Sequence, residues 1–136
     1  MMKNRLPGQD ELTGFLLAMS NLAPCRVLTL GGGADFMLEQ GYFAQELDLG
    51  AQPEGEFDAA LLENGGDPAL RQEALRVLKP GGHLLLADLC VTDVKTHVLA
   101  LQEAGFEVLH VEDATALWEG PADAKTRYFL SVCRKP

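Results

Sequence analysis

Apolar and polar positions along this chain switch repeatedly between a helical and a strand-like pattern. In residues 10–22, Leu12, Phe15, Leu16, Met19 and Leu22 recur at helical spacing, which predicts a helix with one buried face, closed by Pro24. Residues 26–30 form a short apolar run, as expected of a strand covered on both faces. Residues 34–40 leave room for about two helical turns, at roughly 3.6 residues each, before Gly41. Residues 43–49 predict a second strand, which Gln45, Glu46 and Asp48 make too polar to be central, and 52–56 read as turn. Ala59, Ala60, Leu61 and Leu62 dominate a third strand over 57–62. Asp67 then caps a helix with Pro68 at its first position, running to Leu78.

The next segment, Lys79-Pro80-Gly81-Gly82, predicts a tight reversal. Pro80 bars helix continuation and restricts Lys79, while the two glycines can take positive backbone angles. Leu84, Leu85 and Leu86 fill a fourth strand, 83–89. Thr92 or Asp93 caps a helix through Ala104 that ends at Gly105, and strands follow over 106–111 and 127–133. Strands alternating with helices imply an α/β fold, a Rossmann-like, mostly parallel sheet of about six strands with helices on both faces. The length of 136 residues fits one domain, with an N-terminal helical segment over 1–24 and an α/β core over 25–136.

Charge narrows the partners. A net charge of −9, with eleven scattered Lys and Arg, argues against nucleic acid and against an anionic membrane surface. No apolar run reaches the length of a signal peptide or a spanning helix, so the chain reads as cytoplasmic. Cys25, Cys90 and Cys133 form neither a CxxC pair nor a zinc spacing, and His83, His97 and His110 make no metal constellation. The histidines read as ordinary, partly exposed residues. Cys90 is the cysteine to watch, because it follows Asp88 at a strand end.

The glycine run Gly31-Gly32-Gly33 after a strand, an acid at Asp48, Phe57-Asp58, the turn Val77-Leu78-Lys79-Pro80-Gly81-Gly82, Ala104-Gly105-Phe106 and the strand Tyr128-Phe129-Leu130 follow one another along nearly the whole chain. In this order they resemble the class I S-adenosylmethionine-dependent methyltransferases, and among these the small-molecule branch of ubiquinone and arsenite methyltransferase-like proteins. The resemblance implies S-adenosylmethionine as cofactor, a small-molecule acceptor and an antiparallel last strand. It also implies Gly31, Gly32 and Gly33 beneath the methionine and ribose parts of the cofactor, Asp48 on the ribose hydroxyls, and Glu63 on the rim with Asn64. Asp88 and Cys90 would end the adjacent strand on that rim. Glu46 is the alternative to Asp48, and both acids also suit a solvated edge strand. Trp118 is either a lid over the acceptor or an anchor for a long connection.

The departures from the family are equally specific. Thr29 stands where the family usually has an acid that orients the cofactor's amino end, and Asp35 where it has a third glycine. Between Asp48 and Phe57 there is no room for the family's additional helix and outer edge strand. The cofactor site is therefore expected to be open on its adenine side, with weakened binding. The strand over 43–49 becomes an edge, with Tyr42, Phe43, Leu47 and Leu49 as apolar surface, and a homodimer is expected to use this edge or the helix cover missing beside it. Three functions follow: a methyltransferase, an inactive methyltransferase-like binding or dimerisation module, and, last in rank, a nucleotide-binding oxidoreductase domain. The last lacks a glycine at Phe36 and has no catalytic domain after it.

Overall fold

The computed structural model describes residues 9–30, 33–46, 55–62, 68–90, 93–115 and 127–136. Helix α1 (Gln9–Ser20) leads to β1 (Arg26–Leu30), followed by α2 (Ala34–Glu39), β2 (Phe43–Glu46), β3 (Phe57–Leu62), α3 (Pro68–Val77), β4 (Leu78–Cys90), α4 (Val94–Glu103), β5 (Glu107–Asp113) and β6 (Arg127–Arg134). The six strands form one sheet in the order β2-β1-β3-β4-β6-β5. The pairs β1–β2, β1–β3 and β3–β4 are parallel, and β6 runs antiparallel to both β4 and β5. This is the predicted α/β sheet with its antiparallel last strand.

Burial explains the order. β1 and β3 are buried almost throughout, and β6 is buried except at its ends, whereas β2 and β5 are mostly exposed. Strands with apolar side chains on both faces take the middle of the sheet, and the polar ones take its edges. On one face Leu12 and Leu16 of α1 and Met37 of α2 pack on Val27, Ala59, Leu61, Leu85 and Tyr128. On the other, Ala74 and Val77 of α3 and Leu101 of α4 pack on Leu28, Leu30, Ala60, Leu62, Leu84 and Leu86.

Three local expectations are corrected. The first helix ends at Ser20 rather than Leu22, because Asn21 turns left-handed (φ 53°) and the chain leaves the helix before Pro24 can act. Phe15, expected on its buried face, is 48% exposed, because α1 lies on the sheet along Leu12 and Leu16 and turns Phe15 to its flank. Tyr42 is buried rather than surface, and its hydroxyl donates to the Leu22 carbonyl at 2.5 Å.

The Lys79-Pro80-Gly81-Gly82 segment is not a free turn before the strand. Leu78 already pairs with Phe57, and the next matched pair is Ala59 with His83, so the four intervening residues bulge out of β4. Gly81 takes φ +82° there, as the sequence requires. The bulge is stitched to the chain end: Gly81 N–H donates to the Lys135 carbonyl, Lys135 N–H to the Gly82 carbonyl, and Lys135 Nζ to the Leu78 carbonyl.

Candidate functional site

In an open parallel sheet, ligands bind beyond the carboxyl ends of the strands where the strand order reverses. Here β2 lies on one side of β1 and β3 on the other, so that point lies beyond the ends of β1 and β3. Gly33, the first described residue after β1, has φ 96° and caps α2, and its carbonyl accepts from Met37 N–H at 3.0 Å. A side chain there would be strained, so a glycine leaves bare backbone at the point of closest approach. Ala34 and Met37 face inward from α2, and Asp35 is exposed in its first turn. Gly31, Gly32, Asp48 and Glu63 lie outside the described residues, as do Asn64 and Trp118.

The polar side chains described nearest this point in the sheet are Thr29 of β1 and Glu46 of β2. Thr29 is 1% exposed, and its hydroxyl approaches the Gln45 carbonyl of β2 at 3.4 Å. Glu46, its register partner on β2, is exposed at the last described position of that strand. The described part of the cleft therefore combines bare backbone at the start of α2 with an acid from β2. That set fits a ligand that offers hydroxyl or ammonium donors.

Asp88 is not an exposed strand-end charge. It is 2% exposed on the α3–α4 face of β4, with Arg71 Nη2 at 2.5 Å from Oδ2. Burial pushes its carboxyl up, and the Arg71 guanidinium works against that. The Cys90 side chain lies outside the described ones. His97, expected to be partly exposed, is 3% exposed: Nε2 is 2.8 Å from Ser131 Oγ, Nδ1 is 3.9 Å from Asp88 Oδ2, and its ring meets Phe129 with centroids 5.0 Å apart. Burial, with the nearby Arg71 charge, lowers the imidazole to about 4, so it is neutral at pH 7.

Ser131, His97 and Asp88 are the residue types of an acyl-transfer triad. Their burial excludes that chemistry, since Ser131 is fully buried and the carboxylate is already held by Arg71. Sequence reasoning overlooked Arg71 and Ser131 and misplaced His97. The available signals were His97 four residues before Leu101 on the inner face of α4, and Ser131 inside the apolar run of β6.

His83 lies at the other end of the sheet, beside a groove of about 620 Å³ lined by Cys25, Arg26, Phe43, Asp58 and Lys79 among others. Its cations are already neutralised: Arg26 pairs with Glu56 and Lys79 with Asp58. His110 is exposed on β5 against Glu112. No group of three or more metal-ligating side chains occurs among the described residues.

No protein-family model matches the chain, and no curated protein matches it with significance. Solved structures do. The [4+2]-cyclase SpnF superposes with TM-score 0.68 at 21% identity, over 94% of this chain and 81% of that one. Phosphoethanolamine N-methyltransferase 2 of Haemonchus contortus, solved with phosphomonomethylethanolamine and S-adenosylhomocysteine, gives 0.74 at 13% identity, over 97% of this chain. This chain spans about half, 54%, of that enzyme. Geranyl diphosphate C-methyltransferase of Streptomyces coelicolor, solved with Mg2+, geranyl diphosphate and S-adenosylhomocysteine, gives 0.68 at 13% identity, over 94% and 79%. These likenesses establish the Rossmann-like fold found in methyltransferases.

Proposed function

We propose that the protein binds S-adenosylmethionine and transfers its methyl group to a small-molecule acceptor, with the whole chain as the single methyltransferase-like domain. The observation that carries this reading is Gly33, left-handed and bare at the end of β1, at the strand-order reversal of a sheet shared with proteins solved with S-adenosylhomocysteine. Gly31, Gly32 and Gly33 would lie beneath the methionine and ribose, Asp48 would accept from the ribose hydroxyls, and Glu63 would stand on the rim. When bound, the cofactor supplies an electrophilic sulfonium methyl. The chain's own work is then alignment of the acceptor and exclusion of water.

Thr29 supports weakened cofactor binding. Its hydroxyl is buried against β2 where the family usually presents an acid. No described helix is long and apolar enough to cross a membrane, which is compatible with a cytoplasmic enzyme.

SpnF favours a second reading, because it is named a cyclase and not a methyltransferase. On that reading this chain keeps the fold as a binding or dimerisation module without methyl transfer. Calorimetric titration with S-adenosylmethionine and S-adenosylhomocysteine separates the two. Micromolar binding that Asp48→Ala abolishes supports the first. Absence of heat and of thermal stabilisation at millimolar ligand leaves the second.

A further inference from the structure

Four elements meet through polar side chains under the carboxyl end of β4. Arg71 comes from α3, Asp88 from β4, His97 from α4 and Ser131 from β6. The charged and titratable groups that face this cluster are Arg71, Asp88 and His97, with Cys133 of β6 within electrostatic reach of Arg71. Helices α3 and α4 also touch directly, but towards the C-terminal end of α4, where Gln72 Nε2 donates to the Ala104 carbonyl and Leu75 packs close against Gly105. Near their starts both helices reach Asp88, Arg71 of α3 by an ion pair at 2.5 Å and His97 of α4 by an electrostatic contact at 3.9 Å.

We propose that Asp88 and His97 are positioning residues that bind the first turns of α3 and α4 to the end of β4 as one unit, and so set the shape of the rim on the β3–β4 side. The inference deepens the reading above, since it takes that rim to be the acceptor side of the cleft. The cluster stands beside the described ends of both connections at that end. Arg71 lies in the first turn of α3, immediately after the connection from β3. Asp88 and His97 stand on either side of the connection from β4 to α4. The α4 cap reinforces the second, because Asp93 Oδ1 accepts from Thr96 N–H at 2.8 Å.

The protonation pattern follows from the partners. With Asp88 ionised beside Arg71, we assign the His97 proton to Nδ1, which faces the carboxylate, so that Nε2 accepts from the Ser131 hydroxyl. At 3.9 Å the Nδ1 contact is electrostatic rather than a hydrogen bond. Each member thereby orients the next, and the removal of any one is felt at both helices.

The test uses the full-length protein without ligand and follows amide exchange by NMR. The amides of residues 72–74 and 97–99 report the first turns of α3 and α4. In Asp88→Asn, exchange is expected to rise at least tenfold in both sets while β1 and β3 keep their protection. Acceleration confined to one helix, or spread equally over the whole sheet, overturns the proposal. Should Asp88→Asn fail to fold, Ser131→Ala carries the same comparison with the ion pair intact. In the wild-type protein at pH 7 the His97 nitrogen resonances should report the Nδ1–H tautomer, and the opposite tautomer also overturns it. None of these arms needs S-adenosylmethionine, so a failed cofactor titration and a failed network are separate results.

Discussion

Arg71 and Asp88 form a buried ion pair across two elements, with Arg71 Nη2 2.5 Å from Asp88 Oδ2 and the two side chains 12% and 3% exposed. Truncating one partner leaves the other charge uncompensated in a poorly hydrated place, which is far more costly than losing a surface pair. Arg71→Met should therefore destabilise the protein by about 3–5 kcal/mol. Replacing both, as Arg71→Met with Asp88→Leu, should recover most of that loss. Urea unfolding midpoints at constant slope measure both.

His97 gives stability a pH dependence of known sign. Its folded value is about 4, below the ordinary 6.5, so between these values the unfolded chain takes up a proton that the native protein refuses. Stability falls as pH drops from about 6.5 to about 4, by roughly 3 kcal/mol for a shift of this size. Asp88 acts in the opposite direction. Its raised carboxyl favours the folded state most below its unfolded value, and that contribution is lost as pH rises through the folded one. Urea midpoints at pH 7 and pH 5 should differ in the wild type, and the difference should shrink in His97→Gln.

The glycines of the β4 bulge are not equivalent. A Cβ at Gly82 would meet the Lys79 carbonyl oxygen at 2.9 Å and the Asp58 carbonyl oxygen at 3.1 Å, and backbone cannot move aside cheaply. At Gly81 the space is open and only the positive φ of 82° opposes a side chain. Gly82→Ala should cost about 1–3 kcal/mol, as overpacking does. Gly81→Ala should cost about 1–2 kcal/mol from left-handed strain. Thermal melts of the two variants, read beside the wild type, check the order.

Strand β2 is the outer described strand on its side of the sheet, and its Phe43 is 71% exposed. A homodimer formed through this edge, one of the two places expected from the sequence, would cover Phe43. Phe43→Lys should then convert a dimer to a monomer while changing monomer stability by no more than about 0.5 kcal/mol, as surface substitutions do. Light scattering across micromolar concentrations checks the first and urea unfolding the second, and a wild-type monomer throughout removes the dimer.

Much of the fold was legible because its signals are local. The bounds of β1 and β3 follow from short apolar runs, the α4 cap was narrowed to Thr92 or Asp93 and is Asp93, and the end of α4 follows from Gly105, which takes φ +106°. Such features depend on sterics and hydrogen bonds within a few residues. Of the candidate site, the place of Gly33 was also legible, since strand direction fixes it once the alternation of elements is known.

The polar core was not legible in this way. A histidine in a helix and a serine in a strand are individually ordinary, and their meaning depends on what faces them from elsewhere in the chain. His97 and Ser131 are 34 positions apart, and Arg71 and Asp88 are 17 apart. Only the pairing of β4 with β6, and the laying of α3 and α4 on one face, brings these four side chains together. Pattern in the sequence determined which segments are helices and strands, because burial and backbone freedom act residue by residue. The tertiary structure decided which charges could leave water, because a buried charge is tolerable only where distant residues supply its partner.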